Sequence, residues 1–340
     1  MAYGMMSLAA ALTAFLVTAG FGKIVIPWLK RLKYGQTIKE IGPTWHSGKQ
    51  GTPTMGGIMF VAGILLSCLV SLPIFISWHG SVSLFAGATS HARIFGGTGM
   101  GIAYGMVGFF DDYVKIAKKQ NLGLTAIQKL VFQFGIAFSY LATLYLSGDG
   151  VRGITIIPFF GTLELGFWFY LISLVMIVGF VNAVNLTDGI DGLCSSVTFF
   201  AAVSLMLAAG FTQIFEMGII AGAVAGGCVG FLVWNFFPAK VFMGDTGSLF
   251  LGGMFCALAF GIDMPVLIPV IGFIYLCEAG SVILQRYYYK LTHGKRIFKM
   301  SPIHHHFEMC GWSEVKIVTV FSLVTLIAGI LSNVLIWIGF

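Results

Sequence analysis

Residues 192–215 read GLCSSVTFFAAVSLMLAAGFTQIF, and after a single glutamate, Glu216, residues 217–239 read MGIIAGAVAGGCVGFLVWNFFPA. Neither stretch holds a Lys, Arg, Asp or Glu, and each exceeds the roughly 20 residues that a membrane-spanning helix needs. Backbone groups in hydrocarbon must be satisfied within the segment or within a closed barrel. The alternation of a lipid-facing barrel strand is missing here, so both stretches are read as helices. Their glycines and alanines suit close helix packing in lipid.

The same pattern runs the length of the chain. Further charge-free stretches cover 1–22, 50–92, 94–110, 130–148, 165–187, 246–262, 264–277 and 317–340. Of the 340 residues 58% are hydrophobic and only 9% charged, with mean hydropathy +0.93. An ordinary soluble domain carries about 25% charged residues. These figures exclude a soluble enzyme, a disordered chain, a secreted disulfide scaffold and a single anchor on a soluble head. The reading is an all-α polytopic membrane protein of one domain, 1–340. It has ten spans, near 4–29, 53–74, 92–112, 126–147, 166–183, 190–210, 214–236, 246–262, 265–289 and 315–339. Ser77–Ser83 is read as a loop. Residues 150–164, GVRGITIIPFFGTLE, are β-branched and bounded by glycines, which predicts a small hairpin outside the bilayer.

Lys and Arg set the orientation. Segments 30–52, 113–129, 184–190, 237–245 and 286–316 hold five, four, none, one and six of them, 16 of the 19. That face is read as cytoplasmic, with both termini outside. The first apolar stretch has no preceding positive residue, so it is read as an uncleaved helix. Six scattered cysteines without a C-x-x-C pair are read as packing residues.

The polar residues collect on the Lys/Arg-rich face. Asp111, Asp112, Asp188, Asp191 and Asp245 all fall at cytoplasmic span ends, and short carboxylates beside phosphate suit Mg²⁺. Phe109-Phe110-Asp111-Asp112-Tyr113-Val114-Lys115 ends the third span. Its two carboxylates point about 100° apart on a helix, so they serve different partners; a headgroup anchor paired with Lys115 is the plain alternative. Asn182-Ala-Val-Asn185-Leu-Thr-Asp188-Gly-Ile-Asp191-Gly192 offers more capping side chains than one helix start needs. In Phe242-Met243-Gly244-Asp245-Thr246-Gly247-Ser248, glycines beside a helix start allow a ligand to approach the backbone. Ser301-Pro302-Ile303-His304-His305-His306-Phe307-Glu308 lies in the most basic loop. Consecutive histidines do not readily chelate one metal, but they donate to phosphate or accept a proton near neutral pH. Lys49-Gln-Gly-Thr52-Pro53-Thr54-Met55-Gly56-Gly57 is read as the start of the second span. Glu278, inside the ninth span, is a candidate by location alone, with a Lys or a hydroxyl as its plain partner.

GTPTMGG (51–57), FFDDYVK (109–115), NAVNLTDGIDGL (182–193), FMGDTGS (242–248) and SPIHHHFE (301–308) occur in one order. Together they closely resemble the motifs of the polyprenyl-phosphate N-acetylhexosamine-1-phosphate transferases, and within them the muramoyl-pentapeptide branch. The resemblance covers residues 45 to 310. It implies transfer of phospho-N-acetylmuramoyl-pentapeptide from UDP-N-acetylmuramoyl-pentapeptide to undecaprenyl phosphate, the first membrane step of peptidoglycan synthesis. It also implies Mg²⁺, ten helices, a homodimer in the bacterial plasma membrane and a cytoplasmic site. No nucleic acid partner is expected.

By the same resemblance Asp245 is the Mg²⁺ ligand. Asp111 and Asp112 are the catalytic pair, with a base and a covalent-nucleophile role both open. His304 is also expected to be catalytic. Asn185, Asp188, Gly189, Ile190 and Asp191 form the uridine segment, with Phe242 available to stack. Lys49, Thr54, Gln285, His305 and His306 line the sugar and phosphate end, and Lys115 and Lys129 supply further positive charge. A bent ninth helix, with Pro265 and Pro269 near its start, is expected to open a groove for the lipid. An N-acetylglucosamine-1-phosphate transferase is the competing reading inside the group. An ion-coupled transporter is disfavoured, because the carboxylates gather at one end and no repeat is visible.

Overall fold

The computed structural model describes residues 2–32, 49, 51–78, 88–118, 123–147 and 154–339. Helix α1 (Ala2–Arg31) is followed by α2 (Gly57–Trp78) and by the short α3 (Ala88–His91). A π-helical turn, Ala92–Gly96, leads into α4 (Gly97–Ala117), and α5 (Ala126–Leu146) comes next. Strands β1 (Ile154–Ile157) and β2 (Gly161–Glu164) form an antiparallel hairpin with Ile154 opposite Glu164. Then come α6 (Phe167–Thr187), α7 (Leu193–Phe211), α8 (Phe215–Asn235), α9 (Gly244–Gly261), α10 (Leu267–Ile271), α11 (Phe273–Leu291), α12 (Ile303–Met309) and α13 (Glu314–Gly339).

Seven of these helices, α1, α2, α5, α6, α7, α8 and α13, are long and apolar enough to cross a membrane. Helices α4, α9 and α11 have 21, 18 and 19 residues. Large apolar side chains cover the outside: Leu69, Ile127, Leu146 and Trp337 are 69–80% exposed. Such a surface is unstable in water and suits lipid. Inside, helices meet through small residues and single polar pairs. Gly222, Gly226 and Gly230 of α8 lie against the backbone of Ser7, Ala11 and Phe15 in α1, and a Cβ on Gly226 would stand 1.9 Å from the Ala11 carbonyl oxygen. Asn182 on α6 donates to the Gln133 side chain on α5 at 2.7 Å. Thr198 on α7 meets the Tyr275 hydroxyl on α11 at 2.7 Å.

Chain direction sorts the two ends of the bundle. Arg93 and Asp263 form an ion pair at one end, and Ile156 of the hairpin donates to the Asp263 carbonyl. Asp111, Asp112 and Asp245 meet at the other end. Helix α1 runs parallel to α8, and α13 runs from Glu314 near the aspartates to Gly339 beside Pro158 of the hairpin. The start of α1 and the end of α13 therefore lie opposite the aspartates.

Several expected boundaries shift. Residues 53–56 are not helical: Phe242 donates to the Pro53 carbonyl, Gly56 to Phe242 and Gly57 to Met243, and Met55 has φ 67°. This pairing with the 242–243 segment delays α2 to Gly57. Ser77 is helical and donates to the Ile74 carbonyl, so Ser77 and Trp78, the first two residues of the loop expected at Ser77–Ser83, belong to α2. Helix α6 continues through Asn182 and Asn185 to Thr187. The ninth span breaks at Gly272, not at a proline; a Cβ there would meet the Phe180 ring at 2.3 Å. The cysteines are free, and Cys68, Cys194, Cys228 and Cys256 are buried. Residues 33–48, with Lys39, and residues 150–153, with Arg152, lie outside the described residues, as do 79–83.

The connector after α11 is tied by one side chain. The Gln285 amide donates to the Phe298 carbonyl at 2.9 Å and accepts from the Ile297 and Phe298 N–H groups at 3.0 Å each. Two outcomes follow from this packing. Gly226→Val is expected to lower the thermal midpoint in detergent, since overpacking costs about 1–3 kcal/mol, whereas Gly179→Val, with nothing within 4 Å of its Cβ, leaves it in place. Gln285→Leu is expected to speed tryptic cleavage after Lys295 or Arg296, read by mass spectrometry.

Candidate active site

Three helix ends and three connectors converge here. Asp111 and Asp112 lie in the penultimate turns of α4, which packs along α9. A Cβ on Gly108 would stand 2.1 Å from the Asp245 carbonyl oxygen, so only glycine permits that approach. Helix α5 starts with a capping box between Thr125 and Gln128, which fixes Lys129 in its first turn.

The aspartates divide as helical geometry requires. Asp111 accepts from the Leu124 N–H at 2.7 Å and pairs with Lys115 at 2.6 Å and Lys129 at 2.9 Å. Asp112 accepts from the N–H and hydroxyl of Thr246 at 2.9 and 2.8 Å, leaving Oδ1 3.7 Å from Lys115. Asp245 pairs with Lys115 at 3.1 Å and Lys129 at 2.8 Å through Oδ2. Its Oδ1 accepts from the Asn185 amide at 2.9 Å, which also reaches the Ser248 hydroxyl. One carboxylate oxygen from each of Asp111, Asp112 and Asp245 lies within 4.8 Å of the other two. Hard oxygen donors so close fit a divalent cation such as Mg²⁺. The two ammonium groups contact Asp111 Oδ2 and Asp245 Oδ2.

Beside this cluster the α6–α7 turn supplies Asp188, Gly189, Ile190 and Asp191. Asp188 is half-buried; burial, helped by the charges of Asp245, Asp112 and Asp191, pushes its carboxyl up to about 8. Asp191 accepts from the Ala239 N–H at 2.8 Å and pairs with Lys49 at 2.7 Å. Lys49 also pairs with Glu314 at 2.7 Å, and Glu314 accepts from the Asp191 N–H at 3.0 Å. The Phe242 ring is half-buried, and the Thr54 hydroxyl lies beside Gly244.

The histidines separate. His304 is fully buried and its Nδ1 lies 3.0 Å from Glu278, which is also fully buried. His305 meets Glu308 at 2.6 Å, and His306 Nδ1 accepts from the Lys299 N–H at 3.1 Å. The three rings form no common ligand set. Gln285 and His306 bind the 297–299 backbone. His304 reaches the site through Gly189, where a Cβ would stand 2.2 Å from Nε2.

Glu314 and Thr246 do not appear among the residues expected from sequence. Thr246 sits inside the quoted 242–248 motif, so its hydroxyl was in view. Glu314 carries no motif; as the first residue of α13 it looks like ordinary acidic capping.

A sequence profile described as Glycosyl transferase family 4 matches residues 94–262, and one described as Phospho-N-acetylmuramoyl-pentapeptide-transferase signature 1 matches residues 49–61. The first spans the Asp111, Asp112, Asp191 and Asp245 elements; the second begins at Lys49. A phospho-N-acetylmuramoyl-pentapeptide-transferase of Carboxydothermus hydrogenoformans is 45% identical over 339 residues, covering 95% of this chain and 97% of its own. That of Clostridium botulinum is 44% identical over 94% of this chain and 93% of its own. That of Clostridioides difficile is 42% identical over 93% and 94%. With such identity over nearly its whole length, the chain belongs to the phospho-N-acetylmuramoyl-pentapeptide-transferase family.

Proposed function

We propose that the chain transfers phospho-N-acetylmuramoyl-pentapeptide from UDP-N-acetylmuramoyl-pentapeptide to undecaprenyl phosphate, giving lipid I and UMP. The observation that carries this reading is Lys115 and Lys129 among Asp111, Asp112 and Asp245, beside the Asn185–Asp191 turn, at one end of an apolar bundle. A water-soluble nucleotide and a lipid phosphate meet only at such an end. The relatives' name specifies muramoyl-pentapeptide, and the N-acetylglucosamine alternative is not favoured.

An oxygen of the lipid phosphate attacks the sugar-bearing phosphorus, and the bond from that phosphorus to UMP breaks, with UMP taking the electron pair. One pyrophosphate link replaces another, so no outside energy source is needed. Asp111 is held by Leu124 and two ammonium groups. Asp112 keeps Oδ1 free of a close partner, which favours it as the base toward the lipid phosphate. Lys115 and Lys129 neutralise charge on the transferring phosphate. Asn185, Asp188, Gly189, Ile190 and Asp191 hold uridine with Phe242 stacking, and Lys49, Thr54, Gln285, His305 and His306 line the sugar and diphosphate end. His304 stands between the two regions. Mg²⁺, held by Asp245 with Asp111 and Asp112 beside it, would supply a Lewis acid for the phosphate oxygens.

All ten long helices cross the plasma membrane in this reading, as one domain in a homodimer, with the site cytoplasmic and the termini outside. The Lys/Arg count supports the orientation. The exposed side chains Ile283, Leu284 and Tyr287 of α11 offer the lipid an apolar wall.

UMP release by purified protein is expected to need both substrates and Mg²⁺, and to stop on chelation. Asp112→Asn and Asp245→Asn are each expected to lower turnover at least about 10²-fold, with nucleotide binding better kept in Asp112→Asn. Normal turnover by Asp112→Asn would remove it as the base. A cysteine placed at Lys295 should resist an impermeant reagent in sealed cells. A photoreactive polyprenyl phosphate should crosslink to α11 and not to α13; labels spread over all spans would leave the tyrosines as a plain interface belt.

A further inference from the structure

Glu278 is an acid in the first half of α11, and the transfer chemistry described above has no use for it. Its side chain is fully buried, and among the described residues it has a single side-chain partner, the imidazole of His304, whose Nδ1 lies 3.0 Å from Oε2. The same oxygen lies 3.5 Å from the His304 backbone N–H. Among the described residues, Glu278 Oε1 and His304 Nε2 are both buried without a hydrogen-bond partner. Nε2 rests on Gly189, in the turn that carries Asp188 and Asp191.

The arrangement restricts the ring. A carboxylate accepts hydrogen bonds and does not donate them, so the proton of the shared bond belongs on Nδ1. The partner of one ring nitrogen sets the state of the other. Nε2 then carries the lone pair and faces the turn. Glycine at 189 is what lets the ring come so near, since a Cβ would stand 2.2 Å from Nε2.

We propose that Glu278 is a positioning residue for the transfer reaction. It holds His304 with Nδ1 protonated and presents Nε2 as an acceptor against the Gly189 turn. This rests on the transferase reading above. Glu278 acts only through His304 and touches neither substrate. Its effect therefore falls on the reacting complex and not on nucleotide affinity.

The test uses full-length protein with ¹⁵N-labelled histidine, the His304 signals being assigned by their loss in His304→Asn. In the substrate-free native protein, Nδ1 should give a pyrrole-type signal and Nε2 a pyridine-type signal. Glu278→Gln keeps the shape and removes the charge that selects this tautomer. It is expected to mix the two His304 signals and to lower kcat roughly 10-fold or more, as loss of an orienting partner does elsewhere. The thermal midpoint and the UMP dissociation constant should stay at native values, and Glu278→Asp should restore part of kcat. A native protein whose Nε2 carries the proton overturns the proposal. So does a Glu278→Gln variant with native kcat, or one that loses kcat while its His304 signals stay native or its thermal midpoint falls in parallel. The tautomer is read without substrate, so it stands or falls separately from UMP release by the native chain, which tests the transferase reading.

Discussion

Three carboxylates placed within a few ångströms of one another repel, and the site exists because two lysines sit among them. Lys115 comes from the same helix as Asp111 and Asp112, and Lys129 from the first turn of the next. Both reach Asp111 and Asp245. Unpaired buried charges are far more costly than paired ones, so this cross-bracing holds the ends of α4, α5 and α9 in one place. The tight contact at Gly108 depends on it, as does the reach of Asn185 to Asp245.

Around that cluster the polar contacts form a continuous seam. Asp245 leads to Asn185, the α6–α7 turn leads to Asp191 and Lys49, and Lys49 leads to Glu314 at the start of α13. Through Gly189 the turn also leads to His304 and Glu278. The links run through helices and connectors alike, so α13 and α4 share one electrostatic network. The opposite end of the bundle carries the Arg93–Asp263 pair and the small hairpin instead.

Long helices were legible because charge-free stretches in lipid leave no other backbone solution. The gathering of Asp111, Asp112, Asp188, Asp191 and Asp245 at one end was legible for the same reason: topology places consecutive span ends on alternating faces. Tertiary pairing was not legible. Nothing local in Pro53–Gly56 announces its bonds to Phe242 and Met243, so a helix start was expected four residues early. Gln285 was expected at the site through the resemblance alone, and no local pattern announces its bonds to the 297–298 backbone. Glu278 was visible as an oddity, while its partner lies 26 residues away and no periodicity links them. Glu314 was missed because a single acid at a helix start is commonplace.

The glycine face of α8 bears on the order in which the protein is assembled. Helix α1 enters the membrane ahead of α8, but the backbone surface it packs against belongs to α8; Trp234 donates to the Ala19 carbonyl across 215 residues of chain. During synthesis α1 must therefore wait in lipid with its partner face open while six further long helices are made. Lipid tails can cover that face in the interim, since Ser7, Ala11 and Phe15 carry no charge. Parallel packing of the two helices then closes the bundle late, so an arrest or truncation before Asn235 leaves the first helix without its seat.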